Sequence, residues 1–117
     1  MAVIAKYNAS ASTVPSSVIN TLRLLKNELF EIEDVVSVVL FGSYSRGNYG
    51  KNSDIDIAVF VRNSASGKLL MLYRQAVRCA AKYKYDIQIL MFTVQALDAP
   101  VGIVEEIVAF GQDISYI

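Results

Sequence analysis

The chain has 117 residues, eleven basic and eleven acidic side chains, a formal net charge of zero and no histidine. Lacking histidine, it has no access to Ser-His-Asp or Cys-His catalysis, histidine-bearing zinc sites or imidazole acid–base chemistry, so any reaction must use carboxylates, hydroxyls, Lys, Arg, backbone amides or an added metal. Neutrality and a pI near 6.2 argue against strong nucleic-acid binding, and no apolar run reaches the ~20 residues of a membrane span. A chain this long fits one domain that buries ~65% of its unfolded surface. Residues 1–15, small and polar from Tyr7 onward, read as a flexible lead-in, with 16–117 as a single domain.

From Pro15 to Phe30 the apolar residues Val18, Leu22, Leu25 and Leu29 recur at helical spacing, with Pro15 suited to a first turn. Glu28, Glu31, Glu33 and Asp34 then read as a solvated acidic turn. Val35–Phe41 is β-branched and nearly all apolar, as expected of a strand covered on both faces. Gly42–Ser53 is a turn-rich connection, with a helical turn expected through Ser45-Arg46-Gly47. Ile55–Val61 alternates: Ile55, Ile57, Val59 and Val61 share one face, Asp56, Ala58 and Phe60 the other. After a break at Asn63–Gly67, residues 68 to 83 form a helix with Leu69, Leu72, Tyr73, Ala76 and Ala80 as its apolar stripe. Cys79, the single cysteine, lies on this helix as a small buried hydrophobe; it permits no internal disulfide and suits a reducing cytoplasm. Tyr85–Phe92 reads as a third strand, Asp98-Ala99-Pro100 as the cap of a helix that ends at Gly111, and Ile114–Ile117 as an edge strand. This order predicts a small mixed α/β (α+β) sheet packed with helices.

Two short patterns carry chemistry. Gly42-Ser43 after a strand makes an anion site, because glycine admits a phosphate to the backbone amides and the Ser43 hydroxyl adds a donor. Alone, such a pair is usually only a turn. Asp54-Ile55-Asp56 projects two carboxylates from one face of a strand, with Cα atoms ~6.7 Å apart. Their repulsion asks for a cation, and a hard divalent ion bound by carboxylates and phosphate oxygens fits. By itself this pair also suits a solvated strand entrance. Asp86 opens the third strand and is expected near Asp56 if the strands are neighbours; three carboxylates around one cavity hold metals or deprotonate an attacking hydroxyl. Between Val35 and Leu97 these are the only acids, set among Arg46, Lys51, Arg62, Lys68, Arg74, Arg78, Lys82 and Lys84.

The run Leu40-Phe41-Gly42-Ser43-Tyr44-Ser45-Arg46-Gly47, followed by Ser53-Asp54-Ile55-Asp56-Ile57-Ala58-Val59, resembles the signature of the polymerase-beta-like nucleotidyltransferase superfamily. Gly-Ser, ten residues, Asp-x-Asp arises by chance in a chain this long with odds on the order of one in a thousand, at ~7% glycine and similar serine and aspartate usage. The resemblance covers roughly Val18 to the C-terminus and is strongest to the minimal nucleotidyltransferases, whose small domain stands alone. It implies that Gly42 and Ser43 hold the β,γ-phosphates of a nucleoside triphosphate, with Arg46 and Ser53 also at the nucleotide. It further implies that Asp54, Asp56 and Asp86 bind Mg²⁺, with two ions expected, and that Asp86 completes the site or acts as base. Many members carry a further arginine where this chain has Tyr44.

The implied chemistry is in-line attack on the α-phosphorus with pyrophosphate leaving. Relatives that modify small molecules bring a second domain for the acceptor, and none is expected here. Minimal members are commonly antitoxins encoded beside a helical HEPN ribonuclease toxin, and some transfer AMP from ATP to its tyrosine. The resemblance therefore implies a partner-protein hydroxyl as acceptor and a HEPN-type protein as partner. The alternatives are a module that neutralises its partner by contact without catalysis, and the catalytic subunit of an aminoglycoside-type enzyme. The apolar fraction of 54% is high for a small domain and is expected to face a partner or a second copy in a homo-oligomer. Tyr83, Lys84 and Tyr85 flank Asp86, and packing or aliphatic-stem contacts are the first expectation for them.

Overall fold

The computed structural model describes residues 1–117. Helix α1 (Ser16–Phe30) precedes strand β1 (Val35–Phe41), and a single helical turn α2 (Gly42–Arg46) leads by a loop to β2 (Ile55–Val61). A 3-10 segment, Asn63–Lys68, runs into α3 (Leu69–Ala80); β3 (Ile87–Thr93), a 3-10 turn Val94–Leu97, α4 (Ile103–Phe110) and the short β4 (Gln112–Asp113) follow. The sheet order is β3-β2-β1-β4, with β2 antiparallel to β1 and parallel to β3, and β4 antiparallel to β1.

From Val38 onward in β1, and along β2 except at Asp56, the central strands are buried on both faces, as their near-continuous apolar sequences require. Alternation sorts their side chains: Val38 and Leu40 of β1 with Ile55, Ile57, Val59 and Val61 of β2 meet α1 and α3. Val39 and Phe41 with Ala58 and Phe60 meet α4 and the Val94–Leu97 turn. On α1 the residues Val18, Leu22, Leu25 and Leu29 are all buried, so the helical stripe is the packing face. Pro15, with φ −58°, stands as the capping residue just before that helix rather than inside its first turn.

Several element ends differ from the sequence reading. The stretch 63–67 is a 3-10 segment, not an open break, and α3 stops at Ala80, after which Tyr83 turns back to donate a hydrogen bond to Glu28. Tyr85 and Asp86 precede β3 instead of belonging to it, although the Asp86 carbonyl still accepts from Ile55 N. Asp98 closes the 3-10 turn, and α4 begins only after Gly102, whose φ of +59° suits glycine. The edge strand is Gln112–Asp113, not Ile114–Ile117: Ile114 is buried and the chain turns beyond it. The lead-in expected to be flexible is tethered, since Tyr7 N donates to the Asp113 carbonyl, Asp113 N donates to Ala5 and Ala2 N donates to Leu97. The two bonds at Asp113 satisfy backbone groups on the free side of β4, and the third ties the N-terminus to the Val94–Leu97 turn, a tertiary gain that local composition does not reveal.

The acidic turn is likewise more than solvated surface. Lys68 pairs with Glu33 and Asp34, Arg62 with Asp34, and Lys82 with Glu28. Asp34 adopts φ +68° while its carbonyl accepts from Arg62 N, joining the entrance of β1 to the exit of β2.

Candidate active site

The register of the sheet decides where the carboxylates meet. Phe41 pairs with Asp56, so the chain leaves β1 into Gly42 directly beside the Asp56 side chain. Gly42 has φ +74°, and a Cβ built on it lies 2.2 Å from Asp56 Oδ2. No other residue fits there without moving the carboxylate, so the glycine is required twice, by conformation and by space. Ser43 follows in α2, and its carbonyl accepts from the Gly47 and Asn48 amides, closing the turn through a left-handed Gly47.

Ile55 pairs with Ile87 in the parallel ladder, which sets Asp54 opposite Asp86 and Asp56 opposite Gln88. Asp86 therefore neighbours Asp54, not Asp56 as the sequence suggested; parallel pairing fixes that two-residue offset, and a single strand's sequence does not report it. The Asp86 carboxylate, within hydrogen-bonding reach of Asp54, pushes Asp54 above the ordinary carboxylate value through that contact and its charge, with slight desolvation adding. Partial burial, followed by the charges of Asp54 and Glu106, pushes Asp56 up as well. Gln88 Nε2 donates to Asp86 Oδ1 at 3.1 Å, holding that side chain from below.

Gly42, Ser43, Arg46, Ser53, Asp54 and Asp56 line one cavity of about 680 Å³, together with Phe41, Asn52, Gln88, Leu90, Ile103 and Glu106. Six of the seven residues singled out from the sequence thus share a cavity, and Asp86 stands outside its lining against Asp54. Ser53 also braces the loop, accepting from Gly50 N at 2.8 Å through its hydroxyl. Arg46 is committed elsewhere: its Nη1 lies 3.1 Å from Glu106 Oε1, and its guanidinium sits 5.9 Å from the Phe110 ring centre. The basic middle of the sequence does not surround the cavity. Arg46 is its only basic lining residue, because Arg62, Lys68 and Lys82 are paired with the acidic turn.

The donor set suits a hard divalent cation. It consists of carboxylate oxygens carrying mutual repulsion that a cation relieves. The three aspartates are not gathered closely enough for one ion to touch all of them. Asp54 and Asp86 are exposed, so rotation about their side-chain bonds is the movement that would bring their oxygens in.

A second depression of about 610 Å³ lies between the end of α1 and α3, lined by Glu28, Glu31, Glu33, Arg78, Cys79 and Lys82 among others. Size does not distinguish the two cavities; chemistry does. There Glu28 and Glu33 are paired with lysines and no glycine turn opens the backbone, and burial together with Glu28 holds the Cys79 thiol above its ordinary value, in the unreactive form. Tyr83 and Tyr85 pack on this side: burial, followed by the hydrogen bond to Glu28, pushes the Tyr83 phenol up to about 12, and the Tyr85 hydroxyl donates to Ser17 Oγ. Tyr44, where many superfamily members carry arginine, is buried and stacked on Tyr49 at 4.5 Å, so it contributes packing and no charge.

A nucleotidyltransferase domain model matches residues 22–110, more than half of the chain and the whole of this cavity. The chain belongs to the nucleotidyltransferase domain family. A protein of Methanocaldococcus jannaschii named "putative protein adenylyltransferase" is 39% identical over 54 residues, which is 44% of this chain and 52% of that relative. The chain thus spans about half the length of the curated relative it matches. The crystal structure of a "putative nucleotidyltransferase" from Sulfolobus solfataricus superposes with a TM-score of 0.53 at 19% identity, covering 82% of this chain and 86% of that one. A crystal structure of a toxin–antitoxin with AMP-PNP superposes with a TM-score of 0.49 at 26% identity, over 81% and 69% of the two chains. As a nucleotidyltransferase domain the chain has its glycine turn and aspartate pair in one cavity, on the face of the sheet that α4 covers. Glu106, Asn52 and Gln88 went unnoticed in the sequence. The helical spacing of Ile103, Glu106 and Phe110 was a usable signal for Glu106, once α4 was known to border the cavity.

Proposed function

We propose that this domain transfers a nucleoside monophosphate, AMP from ATP, to a hydroxyl on a partner protein. One observation carries the reading: Gly42 lies against the Asp56 carboxylate, which leaves backbone and acid on one wall of an open cavity with Asp54 beside them. Gly42 and Ser43 offer an approach for phosphate oxygens without side-chain obstruction, and Arg46 offers a planar guanidinium. Asp54, Asp56 and Asp86 would hold Mg²⁺, two ions in the full site, which when bound neutralises charge developing on the phosphates. The acceptor hydroxyl would lose its proton to Asp86 or a neighbouring aspartate, attack the α-phosphorus, and release pyrophosphate. The residues contribute mainly by positioning, since phosphoryl chemistry leaves little covalent work for the protein.

The name of the methanogen relative supports a protein acceptor, as does the resemblance to minimal nucleotidyltransferases. Exposed apolar residues, Ile103 in the cavity lining and Phe110 beside the Arg46 guanidinium, offer such an acceptor a dry margin. A HEPN-type toxin is the partner that resemblance favours, with this chain as its antitoxin in a reducing cytoplasm. No helix is long and apolar enough to cross a membrane. A second reading, nucleotide binding without turnover, draws on the placement of Asp86 outside the cavity lining.

Incubation with the neighbouring-gene partner, Mg²⁺ and ATP labelled at the α- or γ-phosphate tests the proposal. Label from the α-position should remain on the partner and label from the γ-position should leave with pyrophosphate. Asp56→Asn should cut the transfer by ~100-fold or more while the protein still melts cooperatively. Equal transfer by that variant would defeat the carboxylate mechanism; ATP binding without any transfer would favour the second reading.

A further inference from the structure

Arg46 is the only cation lining the cavity, and it is already held by an anion. Its Nη1 lies 3.1 Å from Glu106 Oε1, and both side chains line the cavity together with Asp54 and Asp56. A polyphosphate entering beside Gly42 and Ser43 must therefore compete with Glu106 for the guanidinium. Both partners are part-exposed, at 40% and 32%, so the pair is not locked by burial and can open at little cost. Opening is also local. Ser45 on the same turn stays anchored through its hydroxyl to the Phe110 carbonyl, and its own carbonyl accepts from Gln112 Nε2 at 2.8 Å. The backbone of α2 thus stays fixed to α4 and β4 while the arginine side chain changes partners.

We propose that Glu106 is an affinity-setting positioning residue, which occupies Arg46 in the ligand-free domain and yields it to the phosphates of the incoming nucleotide. This rests on the reading of the cavity as a nucleoside-triphosphate site. Glu106 has a second consequence, because its charge also bears on Asp56. With Glu106 present the lining carries three acids against one base, an unfavourable surround for a polyphosphate without a divalent ion. The ion pair therefore disfavours metal-free nucleotide in two ways: it ties up the one attractive group and leaves the acids unopposed.

Binding measured by calorimetry on the full chain, with Mg²⁺ and with either ATP or adenosine, tests this. Glu106→Gln should tighten ATP by about three- to fivefold, the scale of one part-exposed ion pair, and leave adenosine unchanged. Arg46→Gln should weaken ATP by about tenfold. In the Arg46→Gln background, adding Glu106→Gln should then give a clearly smaller gain, limited to removal of the glutamate's own charge from the lining. Glu106→Ala provides a second way of releasing the arginine should the glutamine amide re-form the contact, and melting curves report folding of each variant. An equal gain with and without Arg46, or an equal gain for adenosine, would overturn the role of Glu106 alone. Absence of ATP binding by the parent protein would overturn the nucleotide reading and this inference together.

Discussion

The two faces of the sheet are covered to different depths. On one, α1 and α3 join β1 and β2 in a cluster of 19 buried residues; on the other, α4 and the Val94–Leu97 turn join the same strands in a cluster of seven. The candidate site occupies the thin face, at the end where β1 runs out into Gly42 and β2 begins just after Asp54. The difference separates two tasks. The deep face gains stability from apolar burial, whereas the thin face leaves carboxylates in water, where they repel one another and remain open to a ligand.

Truncations in the two clusters sharpen that contrast most. Leu22→Ala, on the deep face, should cost about 2–5 kcal/mol in urea unfolding while folded protein binds ATP as the parent does. Ile107→Ala, equally buried under α4, should destabilise on the same scale of about 2–5 kcal/mol and also weaken ATP binding, because Glu106 and Ile103 ride on that helix. If both variants spare ATP binding, the division of labour between the faces is wrong.

A smaller effect is expected from Gly42→Ala. Left-handed backbone strain and the collision with Asp56 together should cost about 1–3 kcal/mol, and displacement of the carboxylate should reduce transfer more than it reduces stability. Thermal melts alongside the labelled-ATP assay separate the two losses.

The smallest effect concerns pH and belongs to the deep face. Hydrogen bonds from Lys82 and then Tyr83 hold Glu28 below its ordinary value of 4.5, against a small desolvation penalty. Its stabilising contribution is therefore full above that ordinary value and is lost as pH falls through the lower folded value. Glu28→Gln should lower stability at neutral pH, and the deficit relative to the parent should vanish in acid. A deficit that persists unchanged in strongly acidic urea titrations would show that packing, not charge, explains it.

The strands β1 and β2 were legible to the residue, because their signals are local: a β-branched apolar run and an alternation; the helical turn was read from Ser45 to Gly47, whereas it starts at Gly42 and ends before the left-handed Gly47. Helix α1 was legible for the same reason. The C-terminal end of α3 and the start of α4 were not, since Tyr83 leaves its helix for Glu28 and Gly102, not Asp98, starts the last helix, whereas the stop at Gly111 was read correctly. Local propensity weighs such alternatives within about 1 kcal/mol per residue, which one tertiary hydrogen bond or a glycine's permitted dihedrals can reverse.

Much of the site's composition was in the sequence: Gly42, Ser43, Arg46, Ser53, Asp54 and Asp56 come together because one strand ends and the next begins among them. Register and packing decided everything that depends on a second element. The parallel ladder placed Asp86 against Asp54 instead of Asp56, and the seat of α4 brought Glu106 to Arg46. Covalent order brings short-range partners together, but which distant strand pairs in which register, and which helix roofs which face, is settled by how the whole apolar surface is best buried.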